Sequence, residues 1–336
     1  METYRNIGEA YEYVEQIEDY GPGGLPYAQL GLWFDKNYER AKGINDLLLE
    51  LHRDFEMADT SNYEKFKLII VPSQACLSAE EGEMLNTYAQ NGGRIIVLGE
   101  GALVEGDTTK TALSIGAKVV GKSPYNFDFT LLKSDTLMSE DMVSSPFLNY
   151  ESGLRVEPTE GTVLAAVREP YFNRTYEHYS SHRETPYRLE DSSYPAVLKN
   201  GNIIFFAHAL DHLYTEHGVR LHRELLKNAI DLLYPDPILQ VENLPSAGRV
   251  NLLQQGDKNR YVVHLLYSPP IQRGAVRVIE DFLPVPDVGI TLRVPEQVKK
   301  AYMIPGNQPL ELTSDQGTVA VTVPEFTMHT GVVFEY

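Results

Sequence analysis

The first hundred residues alternate between short apolar runs and amphipathic stretches. Four apolar runs have the length of buried strands, and they cover 28–34, 55–58, 68–72 and 94–99. Three stretches repeat apolar residues every three or four positions, as helices do, and they cover 4–20, 40–51 and 78–90. Ser78 and Glu81 have the spacing of a helix capping box. Strands that alternate with helices favour a parallel sheet covered on both faces, so we predict an α/β fold with a doubly wound, mostly parallel sheet.

The pattern loosens between residues 108 and 237. A short helix is expected near 110–115. Further apolar runs predict strands at 118–120, 127–132 and 162–167. Asn200 and Gly201 separate two apolar runs within 196–207, which is a strong signal for a β-hairpin. Residues 218–233 show helical spacing, and the prolines of 234–237 are expected to end that helix.

The chain after Pro237 has short alternating runs separated by turn residues, without a helical period. Such a pattern is typical of a small antiparallel β-sandwich. We therefore predict three parts, which are a linker helix over 1–24, an α/β domain over 25–237 and a β-sandwich domain over 238–336.

Composition narrows the class of partner and the compartment. The chain has 29 Lys and Arg against 47 Asp and Glu, a formal net charge of −18. An acidic chain is poorly suited to phosphate backbones and to anionic membrane surfaces, so we expect neither a nucleic-acid nor a membrane partner. The single cysteine excludes an intramolecular disulfide and a thiolate metal cluster. We predict a cytoplasmic protein without a cofactor or a metal, since the first twenty residues also lack the features of a signal peptide.

Two residues lie where an α/β sheet binds ligands, at the carboxyl ends of its strands. Cys76 follows the run at 68–72, and Glu100 stands between Gly99 and Gly101 after the run at 94–99. A glycine-flanked residue on a strand-to-helix turn is the pattern of a nucleophile elbow, although Glu replaces the usual Ser or Cys. A tight turn at Glu100 and a small half-buried thiol at Cys76 are the plainer interpretations.

The histidines form two H-x-x-x-H pairs, which resemble the helical spacing of metal ligands. One pair is His178 and His182, and the other is His208 and His212. His208 directly follows an apolar strand, so it is not expected one helical turn from His212. We prefer hydrogen-bonded histidines at a seam between domains or subunits to a metal site.

Residues 171–187 combine aromatic rings with planar donors. Tyrosine and arginine are common in the centres of protein interfaces, and aromatic faces beside hydrogen-bond donors also suit sugar rings. This segment is therefore predicted to contact a protein partner, with a carbohydrate contact and an ordinary surface loop as the alternatives. The candidate residues are Tyr171, Arg174, Tyr176, His178, His182 and Arg183.

The run from Tyr63 to Leu103, YEKFKLIIVPSQACLSAEEGEMLNTYAQNGGRIIVLGEGAL, resembles the trimerisation domain of glycoside hydrolase family 42 β-galactosidases. The runs EPYFNRTYEHYSSH, LLKNAIDLLYPDP, RYVVHLLYSPP and VRVIEDFLPVPDVGITLRVP are similar to the C-terminal half of related bacterial glycoside-hydrolase-like proteins. The resemblance implies a class I glutamine-amidotransferase-like, or flavodoxin-like, α/β fold. The amidotransferase cysteine would fall near Glu100, so glutaminase activity is not expected.

The resemblance also implies a missing part. The family enzymes begin with a barrel that carries two catalytic glutamates, one after an asparagine, and this chain contains no Asn-Glu dipeptide. We therefore expect a non-catalytic accessory region that self-associates as a trimer or dimer and packs against a catalytic barrel. Two alternatives stay open, a carbohydrate-binding module that uses 171–187 and a stand-alone hydrolase that uses Cys76 or Glu100 with a histidine.

Overall fold

The computed structural model describes residues 2–34, 42–315 and 317–336. The described residues form two compact units. The α/β unit comprises Met57–Pro235 and the described residues from Leu30 to Leu47, and the β unit comprises the described residues up to Gln29, Leu48–Glu56 and Asp236–Tyr336. This division places 2–29 and 48–56 with the β unit. The boundaries predicted from the sequence placed 1–24 in a linker, and 25–29 and 48–56 in the α/β domain.

The described helices mostly follow the amphipathic pattern. The α-helices are α1 (Glu2–Ile17), α2 (Lys42–Glu50), α3 (Ala79–Gln90), α4 (Leu210–His217) and α5 (Arg220–Leu233). Single 3-10 turns cover Glu18–Tyr20, Tyr63–Lys65, Gly99–Ala102, Asp135–Leu137 and Gly256–Lys258. Residues 40 and 41 of the helix predicted over 40–51 lie outside the described residues. Among the described residues, none of the helices combines the length and the apolar character that crossing a membrane requires.

The strands are numbered along the chain. The first fourteen are β1 (Leu25–Pro26), β2 (Leu30–Trp33), β3 (Glu56–Ala58), β4 (Leu68–Val71), β5 (Arg94–Leu98), β6 (Leu103–Val104), β7 (Asp107–Thr111), β8 (Ala117–Lys122), β9 (Asp128–Leu132), β10 (Phe147–Asn149), β11 (Leu154–Pro158), β12 (Thr162–Arg168), β13 (Pro195–Asn200) and β14 (Ile203–Phe206). The others are β15 (Leu239–Glu242), β16 (Gly248–Gln255), β17 (Arg260–Tyr267), β18 (Ile271–Arg273), β19 (Val276–Val278), β20 (Val285–Arg293), β21 (Lys300–Ile304), β22 (Gln308–Leu310), β23 (Thr313–Asp315), β24 (Thr318–Phe326) and β25 (Met328–Glu335).

The α/β unit is built on a mixed sheet. Its strand order is β10-β9-β12-β13-β14-β5-β4-β2-β3. The neighbours β14, β5, β4 and β2 run parallel, whereas β10, β9, β12, β13 and β14 pair antiparallel. The sheet therefore differs from the mostly parallel one that the sequence predicted, because the loosely patterned residues after 108 add antiparallel strands to a parallel centre. The doubly wound arrangement stays a prediction.

Local signals placed several elements of this unit correctly. Ser78 Oγ accepts a hydrogen bond from the Glu81 amide at 3.1 Å, and Glu81 Oε2 accepts one from the Ser78 amide at 2.8 Å, which confirms the capping box of α3. The hairpin at Asn200 and Gly201 is confirmed by the antiparallel β13–β14 pair. The helix expected near 110–115 is wrong, because β-branched residues of 107–111 form β7 beside β6 instead.

The core of the α/β unit follows the period of two along its central strands. Ile69, Val71, Ile95 and Val97 lie in one buried cluster together with Leu85 of α3. Alternate residues of a strand point to opposite faces of a sheet, and the intervening Ile70 and Ile96 are also fully buried. These strands are therefore buried on both faces, as their continuous apolar runs indicate.

The β unit contains two antiparallel sheets with a common core. One sheet has the order β1-β16-β17-β25-β21-β22, and the other has the order β15-β20-β24-β23. Leu252 and Val263 of the first sheet share a buried cluster with Val288, Ile290 and Val321 of the second. Burial alternates along β20 and β24, so the alternating sequence after Pro237 has formed a β-rich unit with antiparallel strands, as predicted.

Candidate functional site

A cavity of about 500 Å³ lies at the carboxyl ends of the parallel strands in the α/β unit. Ser73 and Gln74 follow β4, Gly99 and Glu100 follow β5, and Ala207 follows β14. The rest of the lining comes from the ends of β8 and β11 and the loops beside them, with Ala209 and His212. Those residues are Lys122, Ser123, Tyr125, Asn126 and 151–154. Open α/β sheets bind ligands at this edge, so this cavity is the first candidate site.

The turn after β5 brings two backbones close together beneath the cavity. Gly99 has φ +47°, and a Cβ atom on Gly101 would lie 2.1 Å from the carbonyl oxygen of Pro72. A side chain at either position would meet strain or a clash. The two glycines of the Gly-Glu-Gly triplet therefore meet the steric demands of a tight turn that presents Glu100 to the cavity.

Each carboxylate at the cavity has a nitrogen partner. Lys122 Nζ lies 3.2 Å from Glu100 Oε1, and His212 Nε2 lies 3.2 Å from Glu151 Oε1. The two carboxylates are about half exposed, with side-chain accessibilities of 52% and 55%. The lining therefore offers two carboxylates together with an ammonium group and an imidazole.

Asp211 fixes two lining residues from below the cavity. Its carboxylate is buried and accepts hydrogen bonds from the backbone amides of Ser73 and His212, both at 2.9 Å. Burial raises the pKa of the Asp211 carboxyl above its usual value, while these amide hydrogen bonds oppose the shift. Asp211 therefore couples the end of β4 to the start of α4.

A network of five polar side chains is buried inside the same unit. His208 Nε2 is 2.7 Å from Asp128 Oδ1, and Asn149 Nδ2 donates to Asp128 Oδ1 and Thr130 Oγ1 at 2.9 Å. His222 Nε2 lies 3.0 Å from Asn149 Oδ1. All five side chains are buried, and burial lowers the pKa of His222 to about 3. This buried network joins β9, β10, α5 and the end of β14, and its burial keeps it away from any substrate.

The candidate residues of 171–187 share an exposed surface. Tyr171, Arg174, Tyr176, His178, His182 and Arg183 are all exposed, and Tyr176 reaches 99%. The side chain of Asn173 holds the segment in place. Its Oδ1 atom accepts a hydrogen bond from the backbone N–H of Asn126 at 2.8 Å, and its Nδ2 atom donates to the carbonyl oxygen of Pro124 at 2.7 Å. Arg188 donates to Tyr125 Oη at 3.1 Å. The exposed segment is thus fastened to the loop that forms one wall of the cavity.

The two strand-end candidates, Glu100 and Cys76, differ in their position relative to the cavity. Glu100 lines the cavity, whereas Cys76 is not among its lining residues. Cys76 is an exposed free thiol whose Sγ lies 3.7 Å from the carbonyl oxygen of Gln74. Its exposure differs from the half-buried position that the sequence favoured. The cavity therefore brings Glu100, and not Cys76, together with a histidine, His212.

The members of the pair His208 and His212 lie in different surroundings. His208 is buried ahead of α4, and His212 lies at the cavity within its first turn. Within residues 2–34, 42–315 and 317–336, no three His, Cys, Asp or Glu side chains are grouped as metal ligands would be.

Several residues of the cavity and of the buried network were not predicted from the sequence. Lys122, Tyr125 and Glu151 come from the loosely patterned region, where nothing in the sequence places them opposite the strand ends. Asp128 carries a weak signal, since a carboxylate in the alternating run of β9 stands on the buried face. Its partners are at least 21 residues away along the chain, so the network itself was not predictable.

No family model matches this chain, and no curated protein matches it. Solved structures do match. It is similar to α-L-fucosidase isoenzyme 2 from Paenibacillus thiaminolyticus, with 26% identity and a TM-score of 0.92 over 99% of this chain and 52% of that chain.

Two β-galactosidases are similar in fold at lower identity. The enzyme from Bacillus circulans sp. alkalophilus has 11% identity and a TM-score of 0.60 over 99% of this chain and 45% of that chain. A catalytic mutant of Gan42B, a GH42 β-galactosidase from G. stearothermophilus, has 10% identity and a TM-score of 0.60 over 99% and 43%. The chain thus spans about half the length of these three structures, each of which is a glycoside hydrolase.

Proposed function

We propose that this chain is an accessory, self-associating region of a glycoside-hydrolase-like protein and is not itself the catalyst. The likeness to half of the α-L-fucosidase chain carries this proposal, because it extends over 99% of the present chain at a TM-score of 0.92. In the finer form, the α/β unit is an amidotransferase-like domain of the trimerisation type, which assembles as a trimer or dimer and packs against a catalytic barrel. The exposed thiol of Cys76 suits the reducing cytoplasm.

The exposure and the pairing of the cavity carboxylates support a non-catalytic role. Glycoside hydrolysis commonly needs one carboxyl group kept protonated by apolar surroundings and a second that is ionised. Glu100 and Glu151 are both about half exposed and paired with Lys122 and His212. Neither has the apolar surroundings that a general acid needs.

Exposed apolar and aromatic surfaces support self-association. The segment 171–187 presents Tyr171, Tyr176 and Tyr179 to solvent, at 51%, 99% and 72%. In the β unit, helix α1 exposes an apolar row at three- and four-residue spacing, formed by Tyr4, Ile7, Tyr11 and Val14. Contiguous exposed apolar surface commonly marks a contact with another protein surface.

An activity assay of the chain by itself tests the non-catalytic half of the proposal. We expect no hydrolysis of aryl α-L-fucosides, aryl β-galactosides or aryl esters. The variants Cys76→Ala and Glu100→Gln are the matched probes for a stand-alone hydrolase. Activity in the parent that either variant abolishes would replace the accessory role with that of an enzyme.

The second candidate function is carbohydrate binding through the tyrosines of 171–187. It is favoured by the near-complete exposure of Tyr176, since a ring on the surface is available to stack on a sugar. Glycan-array binding that is lost in Tyr176→Ala would promote this function above self-association.

A further inference from the structure

The cavity at the strand ends has no role in the proposed self-association. Its volume of about 500 Å³ falls in the range of small-molecule sites. Its walls come from well-separated parts of the α/β unit, and buried Asp211 holds Ser73 and His212 in place. Lining residues that are fixed in this way by a buried carboxylate are expected at a ligand-binding site. An ordinary surface turn does not need them.

The lining suits a hydroxyl-rich ligand better than an ion. Glu100 is matched by the cation Lys122, and Glu151 Oε1 lies 3.2 Å from His212 Nε2, so an anion would meet two carboxylates and a cation would meet Lys122. A neutral molecule rich in hydroxyl groups can accept a hydrogen bond from Lys122 and donate to the carboxylates. Amide groups on Gln74 and Asn126 add donors and acceptors in the same lining.

A hydroxyl in the wall is left without a partner. Ser152 lines the cavity, and its Oγ atom is buried with no hydrogen-bond partner among the described residues. Buried polar groups are nearly always satisfied by protein, water or ligand. A ligand hydroxyl or a bound water that enters the wall beside Ser152 would satisfy this hydroxyl.

Tyr125 supplies an aromatic ring to the same wall. Arg188 donates to its hydroxyl, and the guanidinium groups of Arg155 and Arg188 each lie 6.0 Å from its ring centroid. Restraint by Arg188 and by the loop contacts of Asn173 reduces the entropy lost when a ligand packs on the ring. An immobilised aromatic ring beside polar groups is the arrangement that sugar rings require.

We propose that this cavity binds a free, neutral monosaccharide. Glu100 and Glu151 accept hydrogen bonds from sugar hydroxyls, Lys122 and Gln74 donate to them, and Tyr125 packs against the CH groups of the ring. This site differs from the exposed segment 171–187. The inference does not depend on self-association, so it can stand or fall separately from the proposed function.

Saturation-transfer NMR on the whole chain, with L-fucose, D-galactose and D-glucose as separate probes, tests the site. We expect transfer from at least one sugar, with a dissociation constant that rises about tenfold or more in Glu151→Gln and in Ser152→Ala. Glu83→Gln, on the exposed face of α3, is the matched control and should bind as the parent does. Thermal unfolding of each variant checks that it folds.

Three results would overturn the proposal. The first is an absence of transfer from all three sugars to the folded parent. The second is binding that survives Glu151→Gln and Ser152→Ala but is lost in Tyr176→Ala, which would assign the sugar to segment 171–187. The third is sulfate binding with the same dependence on Glu151 and Ser152 and a higher affinity than any sugar, which would make the cavity an anion site.

Discussion

The imidazole rings of His264 and His329 stack with centroids 5.3 Å apart, and Nδ1 of His264 lies 3.1 Å from Nε2 of His329. The hydroxyl of Tyr13 lies 2.6 Å from Nδ1 of His329. This chain of contacts connects helix α1 to β25 and β17 within the β unit. Because the two rings are close together, both cannot carry a proton without repulsion.

The histidine pair makes stability dependent on pH. Burial lowers the pKa of both imidazoles below the ordinary 6.5. For His329, burial and the neighbouring ring of His264 together lower the pKa to about 4. The neutral forms are therefore favoured by folding, so their contribution is complete above pH 6.5 and declines as the pH falls towards 4. We expect the free energy of unfolding, measured in urea, to fall through this window less steeply in His329→Gln than in the parent.

The matched control for this pH effect is His182→Gln. His182 is exposed, so its replacement should leave the pH dependence of unfolding as it is in the parent. Identical slopes for His329→Gln and the parent between pH 6.5 and 4 would show that the pair does not carry the effect.

The buried Asp128–His208 pair is expected to be important for stability. In His208→Leu, the carboxylate of Asp128 keeps its burial but loses a hydrogen-bond partner at 2.7 Å. Leaving a buried polar group without its partner costs about 1–3 kcal/mol, and we expect urea unfolding to show a loss of that size. The exposed pair of Arg273 and Glu280 is the control, and Glu280→Gln should have a much smaller effect. Equal losses in the two variants would contradict the importance of burial.

Gly101 is expected to tolerate no side chain. A Cβ atom there would lie 2.1 Å from the Pro72 carbonyl oxygen, so Gly101→Ala must displace backbone at the end of β4. Such overpacking costs about 1–3 kcal/mol, and differential scanning calorimetry should show a lowered midpoint. Gly256→Ala is the control, since nothing lies within 4 Å of its added Cβ. A midpoint for Gly101→Ala equal to that of the control would contradict the close approach.

The segment 171–187 is expected to act through association and not through folding. Replacing Tyr171, Arg174 and Tyr176 together by alanine removes exposed side chains, so the stability of the unit should change little. If the segment is an interface, loss of hot-spot residues should weaken association by about 2 kcal/mol or more, about thirtyfold in dissociation constant. Sedimentation velocity over a concentration series measures this, with Val120→Ala, exposed elsewhere on the same unit, as control. An unchanged association constant would remove the segment from the interface.

Sequence patterns predicted the elements that depend on neighbours along the chain. The capping box at Ser78, the hairpin at Gly201 and the apolar strands β4 and β5 all rest on residues within a few positions of one another. The antiparallel pairing of β12, β9 and β10 could not be predicted from the sequence. These strands pair across long loops, and no local pattern specifies which strands such loops bring together.

The candidate site was predictable only in part. The strand-end rule located Glu100, since it depends on the apolar runs alone. Its ion-pair partner Lys122 belongs to β8, outside the main sheet, and only the fold brings the two together. The same applies to His212 and Glu151, which are 61 residues apart. Chemistry assembled from distant segments is therefore visible in the structure and not in the sequence pattern.

Self-association is the central claim, and it is tested most directly by size-exclusion chromatography with multi-angle light scattering, at high micromolar concentration of the whole chain. The account predicts a mass two or three times that of one chain, stable on moderate dilution. A mass equal to a single chain at every concentration would contradict it.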